Sequence, residues 1–126
     1  MALITGTIRG VTQLNSPAML GRKAYLVTAD FGANVGGTDT CTLTGVGAAI
    51  AGRTRNGRTV TLRTASPAGP GKDANSLDVY MVGAAANQNV VVSGDNLTGI
   101  LGNALAATQS SAACKGVQLI VCVDEA

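Results

Sequence analysis

The stretch Thr38–Thr64, TDTCTLTGVGAAIAGRTRNGRTVTLRT, decides the fold. In Thr38–Thr44, threonines at 38, 40, 42 and 44 alternate with Asp39, Cys41 and Leu43, the period of two expected of a half-buried strand. That pattern puts Cys41 and Leu43 inward and the threonines outward. Arg58–Thr64 repeats it, with Val60 and Leu62 inward and Thr59, Thr61 and Arg63 outward, and its β-branched residues suit a pleated surface. Between the two strands, Val46–Thr54 predicts a short helix. Ala48, Ala49 and Ala51 favour it, and Val46 and Ile50 share one side. Asn56-Gly57 is its stop, since both residues tolerate a left-handed backbone. Arg53 and Arg55 are expected in the last turn, where cations suit the negative helix end. A helix this short is marginal alone, so Val46 and Ile50 must dock on the sheet.

Outward from this unit the chain reads as more strand and more loop. Residues 1–11 are an extended N-terminal arm or a first strand. Asn15-Ser16-Pro17 marks a turn within Gln13–Arg22. Lys23–Ala29 is a strand apolar on both faces, and Asp30–Gly37 a glycine-rich connection. Ser66–Ser76, SPAGPGKDANS, carries two prolines and two glycines and predicts a surface loop. Leu77–Val82 and Asn89–Ser93 are the next strands. Asn96–Ala107 fits neither period, because Gly99 and Gly102 weaken any helix. Gln109–Ala113 is a polar loop. Val117–Val123 closes the chain with Val117, Leu119, Val121 and Val123 on one face, a strand for the middle of a sheet rather than a bare edge. The fold expected is mainly β: a single-domain β-sandwich or small barrel over residues 1–126, with one short helix inserted between two strands.

Composition points away from an isolated molecule. Hydrophobic residues make up 46% of the 126, but 20 are alanine and only Tyr25, Phe31 and Tyr80 are aromatic. The core must therefore be thin-walled, built from Val, Leu, Ile and Ala. Charged residues are 13%, about half the usual share, which leaves neutral surface for an oligomer or a large partner. A net charge of +2 does not by itself imply a polyanion. Three cysteines without a C-x-x-C pair suit free, buried thiols in a reducing compartment. No export signal is expected, since the first cation, Arg9, follows the apolar ALITGTI rather than preceding it. No apolar run approaches the ~20 residues of a membrane helix, so no membrane is expected as a partner. Asn96-Leu97-Thr98 matches a glycosylation acceptor, a chance match without export.

Chemistry is narrowed mostly by exclusion. With no histidine, the Ser-His-Asp and Cys-His arrangements and histidine-containing zinc sites are gone. Spacing selects no pair among the seven carboxylates for acid–base work. Gly45-Val46-Gly47 follows a strand and opens a helix, but the dinucleotide pattern lacks its third small residue and the acidic residue closing the next strand. Gly69-Pro70-Gly71-Lys72 lacks the first glycine of a phosphate loop, and Asp73 stands where a hydroxyl is needed. No catalytic, cofactor-binding or metal-binding residue is assigned, and no enzyme activity is expected. Arg53, Arg55, Arg58 and Arg63 form the one basic cluster. A helix end beside a solvated strand accounts for it most simply; an acidic protein surface comes second. Nucleic acid comes last, since no aromatic lies between these arginines to stack on bases.

Taken whole, the chain resembles the capsid decoration (cement) proteins of tailed bacteriophages. The likeness lies in a short chain rich in Ala, Gly, Thr and Val, with scarce aromatics, no histidine, an extended apolar start (ALITGTIRGV) and an apolar terminal strand (VQLIVCV). The resemblance implies a non-enzymatic, usually trimeric virion protein, made in the host cytoplasm. It would dock on the capsid exterior and clamp neighbouring major capsid subunits. Its candidate partner contacts here are Leu3, Ile4, Ile8 and Arg9 of the opening segment, which could add a strand to a neighbour's sheet, and Arg53, Arg55 and Arg58. The alternatives are a nucleic-acid-binding coat-like protein using the Arg53–Arg63 cluster, or another virion component such as a tail or fibre module. Single-stranded RNA phage coats are similar in size but finish with helices where this chain finishes with a strand.

Overall fold

The computed structural model describes residues 3–14, 22–32, 40–54, 57, 59–73, 75–83, 90–102 and 113–125. These form ten strands and one helix: β1 (Leu3–Thr5), β2 (Thr7–Gln13), β3 (Arg22–Phe31), β4 (Thr40–Leu43), α1 (Val46–Ala51), β5 (Val60–Gly69), β6 (Gly71–Asp73), β7 (Asp78–Val82), β8 (Val91–Ser93), β9 (Asn96–Gly102) and β10 (Cys114–Glu125). The fold is mainly β with a single short helix, as the alternation predicts, and its sheet is curled into a half-barrel. The main path runs β1-β4-β9-β7-β6-β10-β3-β2, with β5 also on β10 and β8 on β9. The two ends of that path, β1 and β2, are separated in the chain by Gly6 alone. One N-terminal segment therefore pairs with β4 on one side, in parallel, and with β3 on the other, antiparallel. Gly6 is a glycine because a Cβ there would lie 2.5 Å from Phe31 Cε1 and 2.7 Å from Leu43 Cδ2. Of the two readings of residues 1–11, the described part is thus strand, bonded inside its own molecule.

β10 is the middle of the wall. It pairs with β3 from Cys114 to Asp124 and, on its other edge, with β5 and β6. Val117, Leu119, Val121 and Val123 are fully buried, the first three beside Ala29, Val27 and Tyr25 of β3 on the same face, in a common core with Leu43, Val46, Ile50, Met81, Leu97 and Leu101. The mid-sheet placement follows from a strand with apolar residues on both faces.

Two local expectations fail and one open stretch is resolved, each for a visible reason. Most of Ser66–Ser76 is not a loop: β5 runs through Pro67 to Gly69, β6 resumes after Pro70 and ends at Asp73, and Asn75 and Ser76 are turn. The glycines serve close packing rather than flexibility, since a Cβ on Gly71 would sit 2.5 Å from the Lys115 carbonyl oxygen. Pro67 is tolerated beside a bulge, where the ladder is already irregular. Asn96–Gly102 is strand, and Gly99 lets β9 approach Val82, whose carbonyl oxygen would be 2.3 Å from a Cβ. The helix ends at Ala51 with Gly52 as its cap, so Arg53 falls beyond its last turn. Asn15-Ser16-Pro17, Arg55, Asn56, Arg58 and Gln109–Ser111 lie outside the described residues. The threonine face is also uneven: Thr42 is buried and its hydroxyl donates to the Leu97 carbonyl at 3.0 Å, whereas Thr44, Thr59 and Thr61 are exposed.

Candidate interaction surface

The glycine corner is used internally. Gly45 takes the left-handed backbone, φ 66°, that turns β4 into α1. The Gly94-Asp95 turn joining β8 to β9 then docks on the helix start: the Val46 amide donates to the Asp95 carbonyl at 2.8 Å, and the Gly45 amide to Asn96 Oδ1 at 3.3 Å. A Cβ on Gly47 would lie 2.4 Å from Asp95 Oδ1. The start of the helix is thus packed against the chain's own turn, with the Asp95 side chain beside Gly47.

The thiols are split between inside and outside. Cys41 and Cys114 are buried, and Cys122 is half-buried. Burial pushes the Cys41 thiol up to about 12, with the neighbouring Cys114 adding to it. Burial likewise pushes Cys114 up to about 11. Both stay protonated near neutral pH, so neither is a ready nucleophile or metal ligand. Among the described residues no group of three or more Cys, Asp or Glu could hold a metal ion, and no helix is long and apolar enough to cross a membrane.

The candidate contacts lie in different parts of the fold. Leu3 and Ile4 are in β1, opposite Thr40 and Cys41. Ile8, in β2, is partly buried against the core. Arg9 is the extra residue of a bulge, since Ile8 pairs with Ala29 and Gly10 with Thr28. Its guanidinium is 3.1 Å from Asp30. Asp30 also accepts the Gly116 amide at 2.9 Å, so one carboxylate ties bulges on both flanks of β3. Arg53 is exposed on the connection from α1 to β5. Arg63 repeats the Arg9 device. Leu62 pairs with Val123 and Thr64 with Cys122, leaving Arg63 as the extra residue, and its Nε donates to Asp124 of β10. Arg9 and Arg63 are each held by a carboxylate in different parts of the fold, so these two form no continuous basic patch for a nucleic acid.

Two further surfaces depend on strand register and pairing. The outer face of β3 and β10 carries Ala24, Leu26, Ile120 and Cys122, all half-buried, with Leu26 beside Ile120 and Ala24 beside Cys122. The apolar pattern of both strands signals this face, though not its continuity, which depends on register. The second surface is a groove of about 370 Å³ between β5 and β8, lined by Arg63, Thr64, Ala65, Ser66, Val90 and Val92. Exposed Val91 lies on the same strand as Val92. Another exposed apolar side chain, Leu77, sits in the β6–β7 turn. Asp73 Oδ1 accepts the amides of Asn75 and Leu77 there, and Lys72 pairs with Asp78. No local sequence pattern announces the groove, because it arises where two strands distant in the chain diverge. Comparison with family models, curated proteins and solved structures gives no match to this chain.

Proposed function

We propose that the chain is a structural virion protein, a capsid decoration protein that self-associates and clamps neighbouring major capsid subunits. The observation that carries this reading is the two-faced wall. β10 buries Val117, Leu119, Val121 and Val123 on its inner side, yet its outer side and that of β3 carry half-buried Ala24, Leu26, Ile120 and Cys122, with the ion-paired Asp30 and Asp124 flanking this apolar stretch. With only 13% charged residues, such a wall gains by meeting another protein surface. A clamp needs affinity without chemistry, and a cyclic homotrimer would let several weak contacts act together. β1 and β2 stand at the two ends of the strand path, each paired on one edge among the described residues, so a contact through Leu3, Ile4, Ile8 and Arg9 would add a partner strand to the other edge rather than donate a free arm. Contact with the shell would instead use sheet surface and sheet edge.

Light scattering of the purified chain, followed by co-sedimentation with expanded heads of the virus that encodes it, tests the reading. A trimer retained stoichiometrically on heads is expected. A monodisperse monomer that leaves heads untouched overturns it.

A further inference from the structure

We infer that the edge of β5 before Ala65, beside β8, which no other described residue pairs, accepts an extended acidic segment of a partner as an added strand. The inference rests on the proposed function for the source of that segment, a shell subunit, but not for the geometry.

The seam is nearly unbonded. Among the described residues, β5 and β8 share one backbone hydrogen bond, from the Val90 amide to the Ala65 carbonyl at 3.2 Å, within the antiparallel bridge of the same residues. Before Ala65, residues Val60–Thr64 have their ladder partners on the β10 side, and Val91–Ser93 have theirs on β9. The groove therefore opens between two strand edges, and a strand edge recognises an extended backbone through its unpaired amides and carbonyls. A segment entering here would run antiparallel to one of the two strands and parallel to the other, since β5 and β8 oppose each other.

Charge chooses the occupant. A neutral strand laid on this edge meets the Arg63 bulge, and charges and bulges are the devices that keep sheet edges from pairing indiscriminately. An acidic strand meets complementary groups. Arg63 uses Nε for Asp124, and its terminal nitrogens make no other hydrogen bond among the described residues. Arg53 is exposed on the connection that leads into the same strand. Small lining residues, Thr64, Ala65 and Ser66, leave room for the incoming side chains, and Val90 and Val92 give them an apolar floor.

The test uses the full-length, isotope-labelled chain and a capped heptapeptide, acetyl-Thr-Val-Asp-Val-Asp-Val-Thr-amide, followed by amide NMR shifts. The expected result is saturable shifts confined to Thr61–Ala65 and Val90–Ser93. Backbone N-methylation of the peptide, or lysine in place of its aspartates, should weaken binding about tenfold or more. Arg63→Glu should lose the acidic peptide and gain the lysine one. If circular dichroism shows that variant misfolded, Arg53→Glu gives the same comparison with a smaller change. Absence of binding at millimolar peptide, shifts centred elsewhere, or indifference to N-methylation overturns the inference. Head co-sedimentation separates the two ideas: a chain that binds the peptide but not heads keeps the acceptor edge and loses the virion reading, and the reverse result does the opposite.

Discussion

Two bulges in this molecule each place an arginine as the unpaired residue and bind it to a carboxylate on the next strand, but they have different surroundings. Arg9 pairs with Asp30, whose side chain is 19% exposed and also holds the Gly116 amide. Strands lie on both sides of that knot, and the register shifts of β2–β3 and β10–β3 are locked together. Arg63 pairs with Asp124, whose side chain is 29% exposed, and the far side of its strand is the β5–β8 groove. The same sequence event therefore closes a wall in one place and borders an opening in the other. What differs is that Asp30 is the less exposed carboxylate and joins Arg9 of β2 to the Gly116 amide of β10 across β3, whereas the Arg63 bulge borders the groove.

The harshest way to break the closed side is Gly71→Ala. The added Cβ would meet the Lys115 carbonyl oxygen at 2.5 Å and the Val117 amide nitrogen at 2.9 Å, backbone atoms flanking the Gly116 bulge. Because backbone cannot swing aside as a side chain can, the cost should be about 3 kcal/mol, read as a lower urea midpoint. A near-neutral result would mean the two strands can slide, and the closed knot would be no tighter than the open one.

Next in size is a paired test of the carboxylates. Asp30→Ala removes the Arg9 partner and leaves the part-buried Gly116 amide without its acceptor, an expected loss of about 2 kcal/mol. Asp124→Ala removes a largely exposed ion pair beside the groove and should cost under about 1 kcal/mol. Equal losses in denaturant titrations would show that the deeper placement of Asp30 and its bond to Gly116 give it no larger role than Asp124, and the contrast between the bulges would fail.

The sequence made these strands readable more readily than their registers. Alternation in Arg58–Thr64 and Val117–Val123 reports which residues face inward, because each strand has one fully buried face. Val60, Leu62, Val117 and Val123 all lie in the core. Val46 and Ile50 were legible for the same reason, as the apolar side of a helix too short to stand alone. Bulges were not legible: Arg9 and Arg63 look like ordinary outward positions, and only the partner strand's register exposes them as insertions. Ser66–Ser76 misled because glycine and proline usually mark turns, whereas here Gly69 and Gly71 allow close packing against Gln118 and Lys115. The candidate surface was half visible. Apolar residues on both faces of β10 foretold an outer apolar wall, but the groove depends on the long-range pairing of Ala65 with Val90, which no local pattern encodes.

Gly10→Ala is the smallest effect and the finest probe of the closed bulge. Gly10 directly follows Arg9, yet its backbone is not left-handed, and a Cβ there meets nothing within 4 Å. The substitution removes no contact and narrows the conformations of the unfolded chain, so it should stabilise by about 0.5 kcal/mol. That sign is informative because glycine beside a bulge usually suggests that the bulge needs it. A gain in urea midpoint would show that this one is held by Asp30 and by pairing with β3, with no demand on the backbone freedom of Gly10. A loss of more than about 1 kcal/mol would mean that the bulge relies on glycine after all, as β10 does at Gly116, where φ is 81°. The two flanks of β3 would then be held by the same backbone device, with the Asp30 carboxylate secondary to it.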